Sequence, residues 1–155
     1  MTAPRILVDA DACPVKEEIW KVAFRRKLPA HLVANAYLRV PDHPLVTMQT
    51  VGGGFDEADD KIVELVTPGD VVITADILLA DRCLKAGAAA VIAPNGKPFT
   101  ENSIGAAVAT RAIMADLRGV VGAEGIGGQA PFSKNDRSRF LSALDEALGR
   151  LQRMG

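Results

Sequence analysis

The chain has 155 residues, of which 48% are hydrophobic and 24% are charged, and its formal net charge is −1. This length suits one folded domain spanning residues 1–155, and the composition excludes disordered and fibrous proteins. The near-neutral charge excludes a protein that coats nucleic acid through a global basic field, but it allows a local basic rim around an acidic centre.

Cysteine usage and the N-terminus indicate the compartment. The two cysteines, Cys13 and Cys83, do not suggest a disulfide framework, and no Cys-x-x-Cys metal spacing is present. The N-terminus lacks the charged and apolar segments of a signal peptide, and no apolar run is long enough to span a bilayer. We therefore expect a cytoplasmic protein without a membrane partner. The oligomeric state stays open, and a homodimer is one of the choices.

Short apolar runs alternate with helical patterns up to residue 93. The predicted strands are 6–8, 32–36, 46–51, 71–76 and 89–93. Predicted helices occupy 15–27 and 77–86, and a further helix begins at the acidic residues that follow three glycines at 52–54. Gly87 is the predicted C-terminal stop of the helix 77–86. This order of elements implies a mostly parallel sheet with helices on both faces, a three-layer α/β/α fold.

The remainder of the chain is predicted to be mostly helical. Residues 100–117 have a helical pattern, and residues 135–152 form a C-terminal helix. An apolar stripe at helical spacing on that last helix consists of Phe140, Leu141, Leu144, Leu148 and Leu151. The glycine-rich segment 119–130 between the two helices is predicted to be a mobile loop, with a plain linker as the alternative. No internal repeat or second domain is indicated.

Carboxylates follow two of the predicted strands and open one helix. Asp9 and Asp11 come directly after the first strand, and Asp76 ends a later one. Asp59 or Asp60 begins a helix. Because the carboxyl ends of parallel strands share one edge of a sheet, we expect these acids to converge. Neighbouring carboxylates raise one another's pKa unless a cation neutralises them, and Mg²⁺ prefers oxygen ligands. Such ions can support an in-line displacement at phosphorus. The alternative interpretation is structural, because Asp is also a good helix cap.

Other residues that could carry chemistry are less promising. His31 and His43 lie apart from the acids, so no zinc site is predicted. The glycines at 52–54 are not followed by the Gly-Lys-Ser/Thr of a P-loop. Cys13 stands beside two acids, which predicts a raised pKa and a packing role rather than a nucleophile.

Four segments carry a resemblance to a known family. They are VDADACP (8–14), GFDEADDKI (54–62), ITAD (73–76) and GGQAPFSKNDR (127–137). Through them, almost the whole chain resembles the YaiI/YqxD family of uncharacterised bacterial proteins. That family is in turn similar to the PIN-like nuclease superfamily. The resemblance implies a PIN-like α/β fold and a metal-dependent nuclease whose cofactor is Mg²⁺ or Mn²⁺.

The PIN pattern matches this sequence residue by residue at three places. It has an Asp after the first strand, an Asp three residues before an apolar helix position, and Thr-x-Asp after a later strand. Asp9 matches the first place. Asp59 matches the second, with Ile62 in the apolar position, and is therefore preferred to the acid that follows it. Thr74 and Asp76 match the third.

Together, the residues and the resemblance assign roles to these side chains. The predicted metal ligands and catalytic acids are Asp9, Asp11, Asp59 and Asp76. Thr74 is expected to orient a carboxylate or a water molecule. Asp11 is the candidate for the further acid that PIN domains carry in a middle helix, since no other residue before Gly52 matches it. Additional candidate acids are Asp56, Asp60 and Asp81, and the last of these could simply face solvent.

A second group of residues is predicted to bind phosphate or nucleic acid. Lys16 lies in the first turn of a helix beside the opening acids. Around the start of the C-terminal helix stand Ser133, Lys134, Asn135, Arg137 and Arg139. Hydroxyl, amide and cationic groups at a helix N-terminus suit phosphate oxygens. The alternative is a capped surface helix without a ligand.

Three functions fit these observations. The first is a Mg²⁺- or Mn²⁺-dependent nuclease, with RNA favoured over DNA as the substrate. The second is a haloacid-dehalogenase-like phosphohydrolase with Asp9 as nucleophile and Asp11 as general acid, although the order of acids fits that class less well. The third is a non-catalytic module that binds nucleic acid or a small phosphorylated ligand.

Overall fold

A computed structural model of the chain describes residues 3–11, 13–54, 56–106, 109 and 132–154. Its strands are β1 (Arg5–Asp9), β2 (Ala30–Ala34), β3 (Val46–Thr50), β4 (Asp70–Ile73) and β5 (Ala90–Ile92). Its helices are α1 (Lys16–Arg26), α2 (Glu57–Leu65), α3 (Ile77–Lys85) and α4 (Lys134–Met154). Residues 101–106 are also helical, at the start of the predicted helix 100–117.

The five strands form one sheet in the order β3-β2-β1-β4-β5, and every neighbouring pair is parallel. From β1 the chain moves outwards through β2 to β3, and it then crosses to β4 on the other side of β1. The strand order therefore reverses between β1 and β4. In open parallel sheets, ligands bind at such a switch point, outside the carboxyl ends of the strands.

Helices cover both faces of the sheet. Successive side chains of a strand point to opposite faces, so each strand packs against helices on both sides. Ile6 and Val8 of β1 pack in a buried cluster with residues of α1 and α4. Leu7, between them, packs in a second cluster with residues of α2 and α3. All three side chains are fully buried, as expected for the central strand of a parallel sheet. The predicted three-layer α/β/α fold is confirmed.

Most predicted boundaries agree with the structure to within two residues. Gly87 has φ +102° directly after α3, as expected for a helix stop. The prediction for the second strand, 32–36, begins two residues too late. Ala30 is buried and pairs with Ile6, whereas Asn35 has already left the sheet and is exposed. Hydrophobicity did not predict this start, because Ala30 and His31 do not resemble the apolar run that follows.

Several predictions fall on residues outside the described ranges. These are the glycine-rich loop 119–130, most of the predicted helix 100–117, and the first residues of the segment 127–137. The described part of the C-terminal helix, Lys134–Met154, extends the predicted range 135–152 at both ends. None of the described helices is both long and apolar enough to cross a membrane.

Candidate active site

A cleft of about 710 Å³ opens at the carboxyl ends of β1 and β4, at the switch point of the sheet. We call it the acidic cleft. Five predicted site residues line it, namely Asp9, Asp11, Asp59, Thr74 and Asp76. The structure thus brings together all four predicted metal ligands and the accompanying threonine. Their convergence follows from the parallel sheet, which places the ends of β1 and β4 side by side.

Thr74 connects the acids that follow the two central strands. Its side chain is only 2% exposed. The Thr74 hydroxyl accepts a hydrogen bond from the backbone N–H of Asp76 at 3.0 Å and donates one to Asp9 Oδ2 at 2.8 Å. Because the Asp76 amide can only donate, it leaves the hydroxyl proton free to point at the carboxylate. Thr74 therefore fixes the position of the Asp9 carboxylate.

Asp9 lies deepest among these acids, at the end of β1. Burial raises the pKa of its carboxyl group, and the negative charges of Asp11 and Asp76 raise it further. The hydrogen bond from Thr74 opposes this by stabilising the ionised form, which lowers the pKa. Asp9 is thus a carboxylate held at an electrostatic cost, and a cation in the cleft would relieve that cost.

Asp76 has two functions at the start of α3. Its Oδ1 accepts hydrogen bonds from the backbone N–H groups of Leu78 and Leu79, at 2.9 and 3.2 Å, and so caps the helix. Its side chain is nevertheless exposed and lines the acidic cleft. The structural and the chemical interpretations of this residue are therefore compatible, because the cap uses one carboxylate oxygen only.

Asp59 reaches the cleft from the first turn of α2, which is anchored by the buried side chains of Ala58 and Ile62. Burial raises the pKa of Asp59 to about 6, with further contributions from the charges of Asp9, Asp76 and Asp56. Because Asp9, Asp59 and Asp76 line the same cleft, their negative charges repel one another. The next residue along α2, Asp60, instead forms an ion pair with Arg82 of α3 at 2.9 Å.

Asp11 lies at the rim of the cleft and is engaged by the backbone. Its carboxylate oxygens accept hydrogen bonds from the N–H of Asn35 at 2.9 and 3.0 Å. Asn35 follows the end of β2, the neighbour of β1 in the sheet. This contact ties the loop after β2 to the loop after β1, and it gives Asp11 a structural role in addition to the one predicted.

The remaining candidate acids lie outside the lining of the acidic cleft. Asp56 occupies the N-cap position of α2 with φ +66° but makes no side-chain capping hydrogen bond, and its charge contributes to the raised pKa of Asp59. Asp81 forms an ion pair with Lys85 at 2.8 Å, one turn along α3. Like Asp60, it is therefore engaged by a basic side chain of α3 rather than aimed at the cleft.

The glycines before α2 allow the chain to pass close to a carboxylate. A Cβ atom at Gly52 or Gly54 would lie 2.7 or 2.6 Å from an oxygen of Glu57. Such contacts are too short, so a side chain at either position requires Glu57 to move. The close approach concerns Gly52 and Gly54 only, because a Cβ atom at Gly53 would meet nothing within 4 Å.

Two of the predicted phosphate ligands already have backbone partners. Lys16 Nζ donates to the carbonyl oxygen of Cys13 at 2.9 Å, and Arg137 Nη1 donates to that of Pro14 at 2.7 Å. Both cations thus lie against the loop that joins β1 to α1. Lys134 and Asn135 are exposed, and their side chains form no hydrogen bond with the described residues.

Ser133 forms a capping box with Asp136 at the start of α4. Its hydroxyl accepts from the backbone N–H of Asp136 at 3.1 Å, and Asp136 Oδ2 accepts from the backbone N–H of Ser133 at 2.9 Å. Asp136 also forms an ion pair with Arg139, and its pKa is lowered mainly by the hydrogen bond from the Ser133 backbone. The structural alternative predicted for this helix start is therefore present.

Cys13 has the raised pKa that the sequence predicts, although its main cause is different, and both histidines lie outside the lining of the acidic cleft. Burial is the main reason for the raised pKa of Cys13, and the charge of Asp9 contributes less. His31 forms a hydrogen bond with Thr47 at 2.6 Å on the sheet, and His43 packs its ring against an aromatic neighbour. Neither histidine lines the acidic cleft.

Three residues of the site were not identified in the sequence. Leu78 is 57% exposed and forms an apolar wall of the acidic cleft. Arg82 lowers the pKa of Asp59 and pairs with Asp60. Asn35 acts through its backbone, so no side-chain pattern could reveal it. Leu78 stands two residues after Asp76 at a helix start, and this position is the only sequence signal for it.

The donor set of the acidic cleft suits a hard cation that keeps some of its water ligands. All of the predicted ligands are carboxylates, and burial, followed by the negative charges of neighbouring acids, raises the pKa of Asp59 and of Asp9. Within the described part of the chain, no three His, Cys, Asp or Glu side chains are grouped closely enough to hold a metal ion by themselves. Mg²⁺ commonly binds through one or two carboxylates, water and substrate phosphate, and this arrangement does not need a closed cage.

Comparison with known proteins identifies relatives over nearly the full length. Residues 7–150 match the family described as "Uncharacterized BCR, YaiI/YqxD family". A "UPF0178 protein" of Sphingopyxis alaskensis is 64% identical over 153 residues, which cover 99% of this chain and 98% of that protein. A protein of the same name from Jannaschia sp. is 60% identical, with 95% of this chain and 94% of that protein covered. No solved structure matches the chain significantly.

Proposed function

This chain belongs to the YaiI/YqxD family, and from the geometry of its acidic cleft we propose that it is a divalent-metal-dependent nuclease that hydrolyses RNA in preference to DNA. The proposed cofactor is Mg²⁺ or Mn²⁺. The similarity to PIN-like nucleases is part of this proposal.

One observation carries the proposal. Asp9, Asp59 and Asp76 come from three separate elements and meet at the switch point of a parallel sheet, with their charges coupled. Helix capping explains Asp76 alone and leaves Asp9 and Asp59 without a structural reason to be there. Acids brought together at an energetic cost are typical of functional sites.

The residues of the cleft have different roles in the proposed reaction. Asp9, Asp11, Asp59 and Asp76 are the residues that would hold the cation, either directly or through its water ligands. A bound Mg²⁺ or Mn²⁺ would supply charge neutralisation at the phosphate and activation of water. Thr74 keeps the Asp9 carboxylate in place.

Asp59 is the acid of the cleft best suited to proton transfer. Burial, with the neighbouring negative charges, raises its pKa to about 6 in the metal-free protein, so it would accept a proton from an attacking water molecule where it is not itself bound to the cation. Asp76 uses one oxygen for the helix cap and keeps the other for the cleft.

Basic groups beside the cleft provide contacts for the substrate backbone. Lys16 and Arg137 are held against the β1–α1 loop by carbonyl oxygens, and Lys134 and Asn135 are exposed at the start of α4. Such groups bind phosphate without reading sequence. Ser133 contributes through its place in the capping box, which fixes the helix start. The proposal places the protein in the cytoplasm, where the free thiols of Cys13 and Cys83 would stay reduced.

The test is a hydrolysis assay with Mg²⁺ and with Mn²⁺ on single-stranded RNA, duplex RNA and single-stranded DNA. We expect the wild type to cleave RNA, and Asp9→Asn and Asp76→Asn to lose at least roughly a hundredfold in kcat/KM. Asp81→Asn is the matched control, since Asp81 pairs with Lys85 outside the cleft. Equal turnover by Asp9→Asn and the wild type, after removal of contaminating nucleases, would exclude the proposed site.

A non-catalytic module that binds nucleic acid or a phosphorylated ligand is the second candidate. One observation favours it, namely that no three ligand side chains in the described residues are grouped as a metal site. The same assay separates the two, because a binding module retains RNA without cleaving it. The phosphohydrolase alternative predicts a phosphorylated Asp9, which mass spectrometry after trapping would detect.

A further inference from the structure

A second cavity, of about 520 Å³, lies between the start of α1 and the first turns of α4. We call it the basic groove. Three of its lining side chains are cationic, namely Lys16, Lys21 and Arg137, and two are anionic, namely Glu17 and Glu18. The groove and the acidic cleft share one wall, which is formed by Cys13.

The two anionic side chains offset only part of the cationic charge, because three cations against two acids leave the lining with a formal charge of +1. Glu18 is 93% buried and is paired with Arg137 Nη1 at 3.1 Å, so its charge is used within the protein. This contact and the one to Pro14 use a single guanidinium nitrogen of Arg137, whose side chain is 46% exposed. The other guanidinium nitrogens form no hydrogen bond with the described residues, although the guanidinium lies over the Phe132 ring, with Cζ 5.0 Å from the ring centroid. Glu17 is left as the sole exposed acid in the lining.

Lys21 is the cation with the fewest commitments. It is exposed on α1, and its ammonium group forms no hydrogen bond or ion pair with the residues that the structure describes. Lys16 donates one hydrogen bond to the Cys13 carbonyl and forms no ion pair with described residues. Both lysines therefore keep charge and donors for an external anion, and the backbone contacts of Lys16 and Arg137 hold two of the three cations in place beforehand.

The acidic cleft and the basic groove are close enough for one nucleic-acid strand to occupy both. Asp11 lines the first, Pro14 lines the second, and three residues of chain span at most roughly 11 Å. Phosphates of one strand follow each other at about 3.4 Å along a duplex axis and further apart in an extended strand, so this span corresponds to at most roughly three nucleotide steps. The formal charge of the lining changes along this path, from four acids in the cleft to three cations and two acids in the groove.

We propose that the basic groove is a second phosphate subsite, in which Lys16, Lys21 and Arg137 bind the backbone of the same RNA strand a few nucleotides from the phosphate held at the acidic cleft. This inference rests on the proposed nuclease function and deepens it, because it makes the substrate an oligonucleotide rather than a mononucleotide or another small phosphoester. Lys21 is a binding residue for that substrate.

The test measures binding apart from hydrolysis. Fluorescence anisotropy follows a labelled oligoribonucleotide of about ten nucleotides in EDTA and, in parallel, in Ca²⁺. We expect Lys21→Glu to weaken binding roughly fivefold or more and to reduce the slope of log affinity against log salt by about 0.7 or more. Lys21→Arg, which keeps the charge, should bind as the wild type does. A mononucleotide should compete poorly.

Lys27→Glu is the matched control. It makes the same charge change just beyond the opposite end of α1, on an exposed lysine outside both cavities. Equal losses in Lys21→Glu and Lys27→Glu, or no binding by the wild type under either condition, would overturn the subsite. Hydrolysis is measured separately. If RNA binds through Lys21 but is never cleaved, the nuclease proposal alone is contradicted. If RNA is cleaved and both variants bind it with equal affinity, the groove alone is contradicted.

Discussion

At the scale of single residues, Thr74 holds two of the candidate acids in place, although it is not itself a predicted metal ligand. Its hydroxyl joins the backbone after β4 to the carboxylate at the end of β1, and Thr74 is too deeply buried for water to replace either bond easily. Strand β4 places Thr74 there because Ile73 is the last residue of the strand and pairs with Val8. The position of Asp9 is thus fixed from the neighbouring strand.

Thr74→Val should destabilise the protein and weaken the site together. The substitution keeps the shape but leaves the Asp76 N–H without its acceptor and Asp9 without its donor, which should cost about 1–3 kcal/mol of unfolding free energy. The pKa of Asp9 should rise further, since the lost hydrogen bond is what lowers it. Urea denaturation measures the first effect. Thr74→Ser restores the hydroxyl and should recover most of the loss, whereas equal stability of the Val variant and the wild type would contradict this role.

At the scale of elements, the turn after β5 is held between α4 and the acidic cleft. Gly96 has φ +89°, and a Cβ atom there would lie 2.6 Å from the carbonyl carbon of Arg139 in α4. Two residues earlier, Pro94 lines the acidic cleft. A shift of α4 relative to the sheet would therefore move a wall of the candidate active site.

Gly96→Ala should be more destabilising than Gly87→Ala, although both glycines have positive φ. At Gly87 a Cβ atom meets nothing within 4 Å, so the cost is the backbone strain alone, about 1–2 kcal/mol. At Gly96 the contact with α4 backbone adds roughly 1–3 kcal/mol, because main chain cannot rotate away. Thermal or chemical denaturation of the two variants checks the difference. Equal losses of stability in the two variants would mean that α4 moves to make room for the added methyl group at position 96.

The sequence predicted the elements better than it predicted their contacts. Hydrophobic periodicity and turn residues predicted where the strands and helices lie, because both signals depend on residues that are close in the sequence. The preference for Asp59 over Asp60 agrees with the structure, in which only Asp59 lines the cleft. The reason, an ion pair between Asp60 and Arg82, joins two helices and could not be predicted from spacing. The same holds for the backbone contact of Asn35 with Asp11 and for the meeting of α1 and α4 at the basic groove.

At the scale of the whole molecule, a net charge of −1 conceals strong local separation. Four acids line the acidic cleft, whereas the adjoining basic groove has three cations and two acids, one of which is buried in an ion pair. Composition alone excluded a protein that coats nucleic acid, and the fold then concentrated both signs of charge along one edge of the sheet. Such an arrangement attracts a substrate that carries phosphate and needs a cation beside it.

Divalent cations should stabilise the folded protein, and more at pH 7.5 than at pH 5. The pKa of Asp59 is raised from 3.8 to about 6 in the folded state, and that of Asp9 is also raised. The folded protein therefore binds protons at these groups more tightly than the unfolded chain does. Their stabilising contribution is present below about pH 4 and is lost as the pH rises through about 6.

A bound cation reverses that loss, because it binds the ionised carboxylates and competes with protons for them. With Mn²⁺ at about a hundredfold excess over its dissociation constant, the unfolding temperature at pH 7.5 should rise by roughly 5–10 °C, and at pH 5 by clearly less. Differential scanning fluorimetry measures both. Asp59→Asn should reduce the pH dependence of the unfolding temperature as well as the response to Mn²⁺, whereas Asp81→Asn should change neither. An equal rise in the wild type and in Asp9→Asn would place the cation elsewhere, and no rise at any pH would leave the cleft as a set of acids that the fold brings together without a metal.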